Sequence, residues 1–292
     1  GNGDYPPAYS WVLAFPAWLL HAHPYWMARF GGAFFGAGLA LGAYALLAQV
    51  RGRAAGLAAA ALVAGCPALV LLQKTGVGCF ANQLGLLLIP AALWAYVSGR
   101  RGWLALALAA LAVAVPMMLL HAVLLLGFVV WVDRDAGRAR FVWLGILALA
   151  FASALGRAVR LPPAQGVVRA AMLTGQYGGM EQAGAGWNEI LRTLAADFFA
   201  VKRVGYGAGP LNVLAAATTA AFALALAGGW RKRAAAWRLV GTWGLLTSVN
   251  VHLGLFQFTN YQREGWSLLL AAAALGALVF DVLWRTWASR NG

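Results

Sequence analysis

Residues 99–140 read GRRGWLALALAALAVAVPMMLLHAVLLLGFVVWVDRDAGRAR, an apolar run with Arg100 and Arg101 before it and Arg134, Arg138 and Arg140 after it. Short loops rich in Arg and Lys stay on one side of a membrane, so both ends of this run are expected on that side. The run must therefore turn back on itself. Pro116, which lacks an amide hydrogen and disfavours a helical residue before it, is the natural turning point. Each arm is then about 13 to 16 residues, below the roughly 20 needed to cross a bilayer, which describes a short hairpin packed among other helices.

The same pattern extends in both directions. Apolar runs fall at 30–50, 54–72, 81–99, 103–132, 141–156, 210–229, 236–255 and 265–284. Between them lie Arg51 and Arg53, the two clusters above, Arg231, Lys232, Arg233 and Arg238, and finally Arg285 and Arg290. The alternate connections near 21–29, 73–80 and 256–264 carry only Arg29, Lys74 and Arg263, and are expected to face outward. Composition agrees: of 292 residues 62% are hydrophobic and 10% charged, which excludes an ordinary soluble enzyme. The net charge of +14 does not indicate a nucleic-acid binder, because the cations cluster between spans and form no basic stripe along one element. Cys66, inside an apolar run, reads as a small buried thiol. The expected fold is all-α: a polytopic transmembrane helix bundle, residues 1–292 forming one domain, with short re-entrant or hairpin helices and an amphipathic interfacial helix. The chain opens Gly1-Asn2-Gly3-Asp4, without an initiator Met or signal peptide, and reads as a fragment.

Two segments are expected to lie along the membrane instead of crossing it. Residues 8–20 begin and end outside by parity, and Tyr9, Trp11, Phe15 and Trp18 suit an interfacial belt. Residues 157–209 form the long outer-face loop. Within it Trp187, Ile190, Leu191, Leu194, Phe198 and Val201 recur at helical spacing, as in an amphipathic surface helix.

Polar residues gather on the outer side in this scheme. His21, His23, His121 and His252 lie outside or near outer helix ends, as do Asp4, Lys74, Gln83, Lys202, Arg203, Gln262, Arg263 and Glu264. Strongly polar side chains near hydrocarbon are costly without a partner, water or ligand, so the concentration points to a working surface. The sharpest local signal is Gly3-Asp4-Tyr5-Pro6-Pro7-Ala8-Tyr9, in which two rigid prolines present the Asp4 carboxylate in a fixed direction. The same residues equally describe a helix N-cap.

Asp4-Tyr5-Pro6-Pro7, followed by an apolar helix and outward loops, resembles the GT-C superfamily of integral membrane glycosyltransferases. Members that use dolichyl-phosphate-glucose carry D-Y-P-P after the first long lumenal loop, and bacterial relatives carry E-K-P-P or similar. Phe80-Ala81-Asn82-Gln83-Leu84 and Met117-Met118-Leu119-Leu120-His121 fit more loosely. The resemblance implies transfer of a sugar from a polyprenyl-phosphate donor to a lipid or glycan acceptor at the outer face of an inner membrane. It also implies a general base in an outer loop upstream of Gly1, with Asp4 as the second acidic position, contacting acceptor or a divalent metal. Tyr5, His21, His23, Gln83, His121, Gln262 and Glu264 become substrate-binding candidates. Lys74, Arg157, Arg160, Lys202, Arg203 and Arg263 become candidates for stabilising the departing phosphate.

No His pair has zinc spacing, and no metal ligand is assigned. Asp133-Arg134-Asp135 is formally a D-x-D, but its arginine-rich inner loop reads as a solvated turn. Asp281 and Arg285, four apart near an inner helix end, read as an interfacial ion pair. A transporter or lipid flippase, or a non-catalytic membrane assembly subunit, remains the alternative. Helix centres of Ala, Leu, Gly and Val with few ionisable residues count against ion-coupled transport.

Overall fold

The computed structural model describes residues 14–15, 17–21, 23–66, 80–114, 116–133, 137, 139–159, 210–232, 234–253 and 261–291. Among them the regular structure is entirely helical: α1 (Pro24–Arg51), α2 (Arg53–Ala64), α3 (Phe80–Val97), α4 (Arg101–Ala114), α5 (Pro116–Val132), α6 (Ala139–Val159), α7 (Pro210–Arg231), α8 (Ala235–Leu253) and α9 (Tyr261–Asn291). Ala33–Arg51 and Ser267–Arg290 are each long and apolar enough to cross a membrane.

Helices pair through tight turns at the basic connections. Only Gly52 separates α1 from α2, at φ 114 and ψ 169, a region that glycine alone occupies readily. At the end of α3, the Gly99 N–H donates to Tyr96 O (3.0 Å) and the Arg100 N–H to Ala95 O (2.9 Å), with Gly99 at φ 70. This is a Schellman stop, in which a left-handed glycine satisfies the last carbonyls and reverses the chain.

Close approaches give the helix directions. A β-carbon on Gly229 would meet Arg238, one on Gly241 would meet Leu226, and one on Gly244 would meet Phe222, so α7 and α8 run antiparallel. Gly56 lies against Tyr44 and Ala48, folding α2 back on α1, whereas Gly38 and Gly42 face Leu87 and Pro90, making α1 and α3 parallel. Tyr96 at the end of α3 bonds Asp133 just past α5, and Arg51 at the end of α1 bonds Asp281 in α9. The ends of α1, α3, α5, α7 and α9 and the starts of α2, α4, α6 and α8 thus share one end of the bundle, the arginine end.

The 103–132 run does break into two arms, of 14 and 17 residues, with Pro116 as the first residue of the second. Proline suits that position because its missing N–H has no intrahelical partner there. Both outer ends of the pair lie at the arginine end. Helix α6 continues to Val159, three residues into the stretch expected to be loop. The amphipathic helix expected within 157–209 lies otherwise outside the described residues. Ahead of α1, residues 14–15 and 17–19 are helical, with Phe15, Trp18, Leu19 and Leu20 exposed.

The core is a continuous apolar cluster including Leu46, Leu47, Leu86, Leu93, Leu111, Leu125, Phe222 and Leu278. The exterior is apolar too: Phe34, Leu41, Leu57, Leu106, Phe141, Leu149 and Leu224 are all exposed. Cys66 is half-buried at the edge of the core, not enclosed by it. Exposed tryptophans are unevenly placed. Trp103, Trp131, Trp230, Trp284 and Trp287 stand beside the basic turns, and only Trp18 lies elsewhere among the described exposed tryptophans.

Candidate functional site

Of the site residues expected from sequence, His21, His23 and His121 are described with their side chains. Gln83 lies in the first turn of α3, and Gln262, Arg263 and Glu264 in the first turn of α9, so both groups begin helices that run toward the arginine end. Their side chains are outside the described residues, as are Asp4, Tyr5, Lys74, Arg160, Lys202 and Arg203 altogether. His21 and His23 are exposed just ahead of α1. The His21 N–H closes a turn onto Trp18 O at 3.2 Å, with φ 48, a left-handed conformation that histidine tolerates better than branched residues.

His121 differs from them in being buried. It sits in the second turn of α5, about 18 Å along the helix axis from Asp133, and so toward the end opposite the arginines. Its Nε2 lies 3.3 Å from Ser267 Oγ, and Trp243 Nε1 donates to the same oxygen at 3.0 Å. The Ser267 hydroxyl thereby joins α5, α8 and α9. A second buried hydroxyl pair, Thr219 with Ser248, ties α7 to α8. The serine–imidazole pair can relay a proton chemically, and its described surroundings hold the ring between helices.

The densest polar cluster lies at the arginine end. The Tyr96 hydroxyl donates to Asp133 Oδ2 at 2.7 Å, and Arg140 Nη2 donates to Asp133 O at 2.6 Å. Trp143 meets Tyr96 edge-on at 5.3 Å, and the Arg101 guanidinium stands 5.8 Å over the Trp143 ring. Asp133 is therefore not the freely solvated turn residue expected from its loop: the Schellman stop at Gly99 and the end of α5 bring tyrosine and carboxylate together. Asp281 bonds Arg285 as its spacing implied, and also Arg51 from α1 at 2.7 Å. Its side chain is buried, unlike a surface ion pair.

Tyr96 and Trp143 were not singled out from the sequence, and Arg238 was read only as one of the cations of its connection. Each stands at or within four residues of a basic turn, but the residues they meet are distant in the chain. Among the described residues no group of three or more His, Cys, Asp or Glu comes together as a metal site would require. Comparison with family models, curated proteins and solved structures found no match.

Proposed function

We propose that this chain is a multi-pass inner-membrane protein whose arginine end faces the cytoplasm and whose opposite end carries a GT-C type glycosyl transfer. The observation that carries the membrane reading is the ring of exposed tryptophans at the level of the basic turns. Tryptophan concentrates where hydrocarbon meets headgroups, and lysine and arginine concentrate on the cytoplasmic side of that boundary. The exposed apolar side chains between the two ends then face lipid, which removes the cost of leaving such a surface in water.

The transferase reading rests on Asp4-Tyr5-Pro6-Pro7 and the outward loops. In this reaction the acceptor hydroxyl attacks the anomeric carbon of a polyprenyl-phosphate-linked sugar. A new C–O bond forms, the bond from sugar to phosphate oxygen breaks, and the hydroxyl proton passes to a carboxylate base. Negative charge grows on the leaving phosphate, where an outward cation such as Lys74 or Arg263 would stabilise it. Asp4 would contact acceptor or a divalent ion. In this reading His121, toward the end opposite the arginines, would fix the α5–α9 wall of the site through its hydrogen bond to Ser267.

Replacement of Asp4 by Asn in the intact protein tests this. Sugar transfer from a polyprenyl-phosphate donor should fall by at least tenfold while membrane insertion is unchanged. Undiminished transfer removes Asp4 from the site, and no transfer by the unaltered protein removes the enzyme reading.

A further inference from the structure

Five helix ends line a half-open cavity of about 410 Å³ at the arginine end. Gln49 of α1, Tyr96 of α3, Asp133 after α5, Trp143 of α6, and Arg238 and Thr242 of α8 contribute to its wall. A pocket of this size is within the range that holds a small ligand and is far larger than one water needs. It is also unevenly charged. Among the described residues, Arg140 and Arg238 both lie within electrostatic reach of the Tyr96 hydroxyl, against one carboxylate, that of Asp133. That carboxylate already accepts from Tyr96.

One polar group of the wall lacks a partner. The hydroxyl of Thr242, a residue only 4% exposed, makes no hydrogen bond. A buried donor without an acceptor is costly, so its presence on the wall indicates an acceptor that occupies the recess. Valines of α1, α3 and α5 complete the wall, giving it an apolar part beside the cationic part. The cavity lies at the level of the exposed Trp103 and Trp131, where headgroups meet the bilayer surface, and basic recesses between helices at that depth bind anionic lipid headgroups.

We infer that this cavity seats the phosphate of an anionic amphiphile, with Arg238 facing the oxyanion, Thr242 donating to it and Arg140 adding positive potential nearby. The site is at the opposite end from the transfer chemistry proposed above and does not depend on it, though it rests on the membrane reading proposed there.

The test uses the intact protein in a neutral maltoside detergent, with thermal melting as readout. Dioctanoyl phosphatidylglycerol, dioctanoyl phosphatidylcholine and inorganic phosphate are titrated separately. Phosphatidylglycerol should raise the melting temperature saturably, with an apparent affinity at least tenfold tighter than phosphatidylcholine. Inorganic phosphate matching phosphatidylglycerol would keep the phosphate seat but overturn the amphiphile as its occupant. Arg238→Gln should abolish the phosphatidylglycerol shift. Should that variant fail to fold, Thr242→Val decides, because it exchanges only the hydroxyl for a methyl and should weaken the lipid about fivefold. Arg290→Gln removes an exposed cation at the same end and should leave the affinity unchanged. Absence of any shift in the unaltered protein, or equal weakening by Thr242→Val and Arg290→Gln, overturns the site.

Discussion

Arg51, the last residue of α1, places its Nε 2.7 Å from Oδ2 of Asp281 in α9, a carboxylate only 1% exposed. Arg285 Nε lies 3.0 Å from both oxygens of the same carboxylate. The two cations differ from the anion in exposure, at 31% for Arg51 and 58% for Arg285. Either arginine can therefore reach water, and the aspartate cannot.

That asymmetry predicts a non-additive series. Arg51→Met or Arg285→Met leaves the buried carboxylate one cation and should cost about 1 kcal/mol, the net worth of one lost hydrogen bond. The double variant leaves a buried anion uncompensated and should cost about 3–5 kcal/mol, well above the sum of the singles. Adding Asp281→Asn should restore most of the loss. Melting of the four proteins in neutral detergent checks this, and simple additivity would contradict it.

Gly52 and Gly99 both sit at positive φ, but they should respond differently to asparagine. A β-carbon on Gly52 would find only Arg285 Nη2, at 3.9 Å, so space is available and the obstacle is conformational. At φ 114 and ψ 169, any side chain should cost about 1–3 kcal/mol, for Gly52→Asn as for Gly52→Ala. Gly99, at φ 70 in its Schellman stop, occupies a region that asparagine also adopts. Gly99→Asn should therefore melt close to the unaltered protein, and well above Gly52→Asn.

How far the sequence discloses this arrangement depends on whether the cause is local. The break at Pro116 and the helical character of 30–50 or 265–284 were legible, because proline geometry and the need to satisfy backbone groups in an apolar medium act within a few residues. The pairing of Arg285 with Asp281 was legible for the same reason. Arg51 as a further partner was not, since 230 residues separate it from Asp281. Asp133 was misread because its neighbours in sequence are arginines, whereas its carboxylate is fixed by Tyr96, 37 residues earlier. The outward candidates centred on Asp4 come from a motif, and packing among the described residues does not bear on them.

The α7–α8 contact should be intolerant of a single methyl at one glycine and indifferent at another. A β-carbon on Gly241 would lie 2.5 Å from the backbone nitrogen of Leu226, so the helices would have to separate. Gly241→Ala should cost about 1–3 kcal/mol, the usual range for overpacking. Gly228, in the same hairpin, has nothing within 4 Å of that position. Gly228→Ala should be neutral or gain up to about 1 kcal/mol through helix propensity. Equal melting temperatures for the two variants would refute the close approach.

Ser267 should matter chiefly through the buried indole N–H that it satisfies. Ser267→Ala withdraws the shared oxygen from both His121 and Trp243, leaving the buried indole N–H without its acceptor at a cost of about 1–3 kcal/mol. Trp243→Phe removes that donor together with its need for a partner, so Ser267→Ala on a Trp243→Phe background should cost measurably less than on its own. A double-mutant cycle on melting temperatures reads the coupling, and a value of zero would mean the serine does not bridge them.

The helix directions make a final prediction about sidedness. With Cys66 and Cys79 replaced by Ala, single cysteines at Gly102 and Gly137 sample the arginine end, and single cysteines at Thr75 and Gly205 sample the connections expected opposite it. An impermeant maleimide should label Thr75→Cys and Gly205→Cys once the outer face of the inner membrane is accessible. Gly102→Cys and Gly137→Cys should react only after the membrane is opened. The two arginine-end positions must behave alike, because Tyr96 with Asp133 and Arg101 with Trp143 hold their turns together. A split between them would contradict the hairpin of α4 and α5. Full reversal of all four would keep the hairpin but turn the proposed transfer end toward the cytoplasm, where an outer-face acceptor could not reach it.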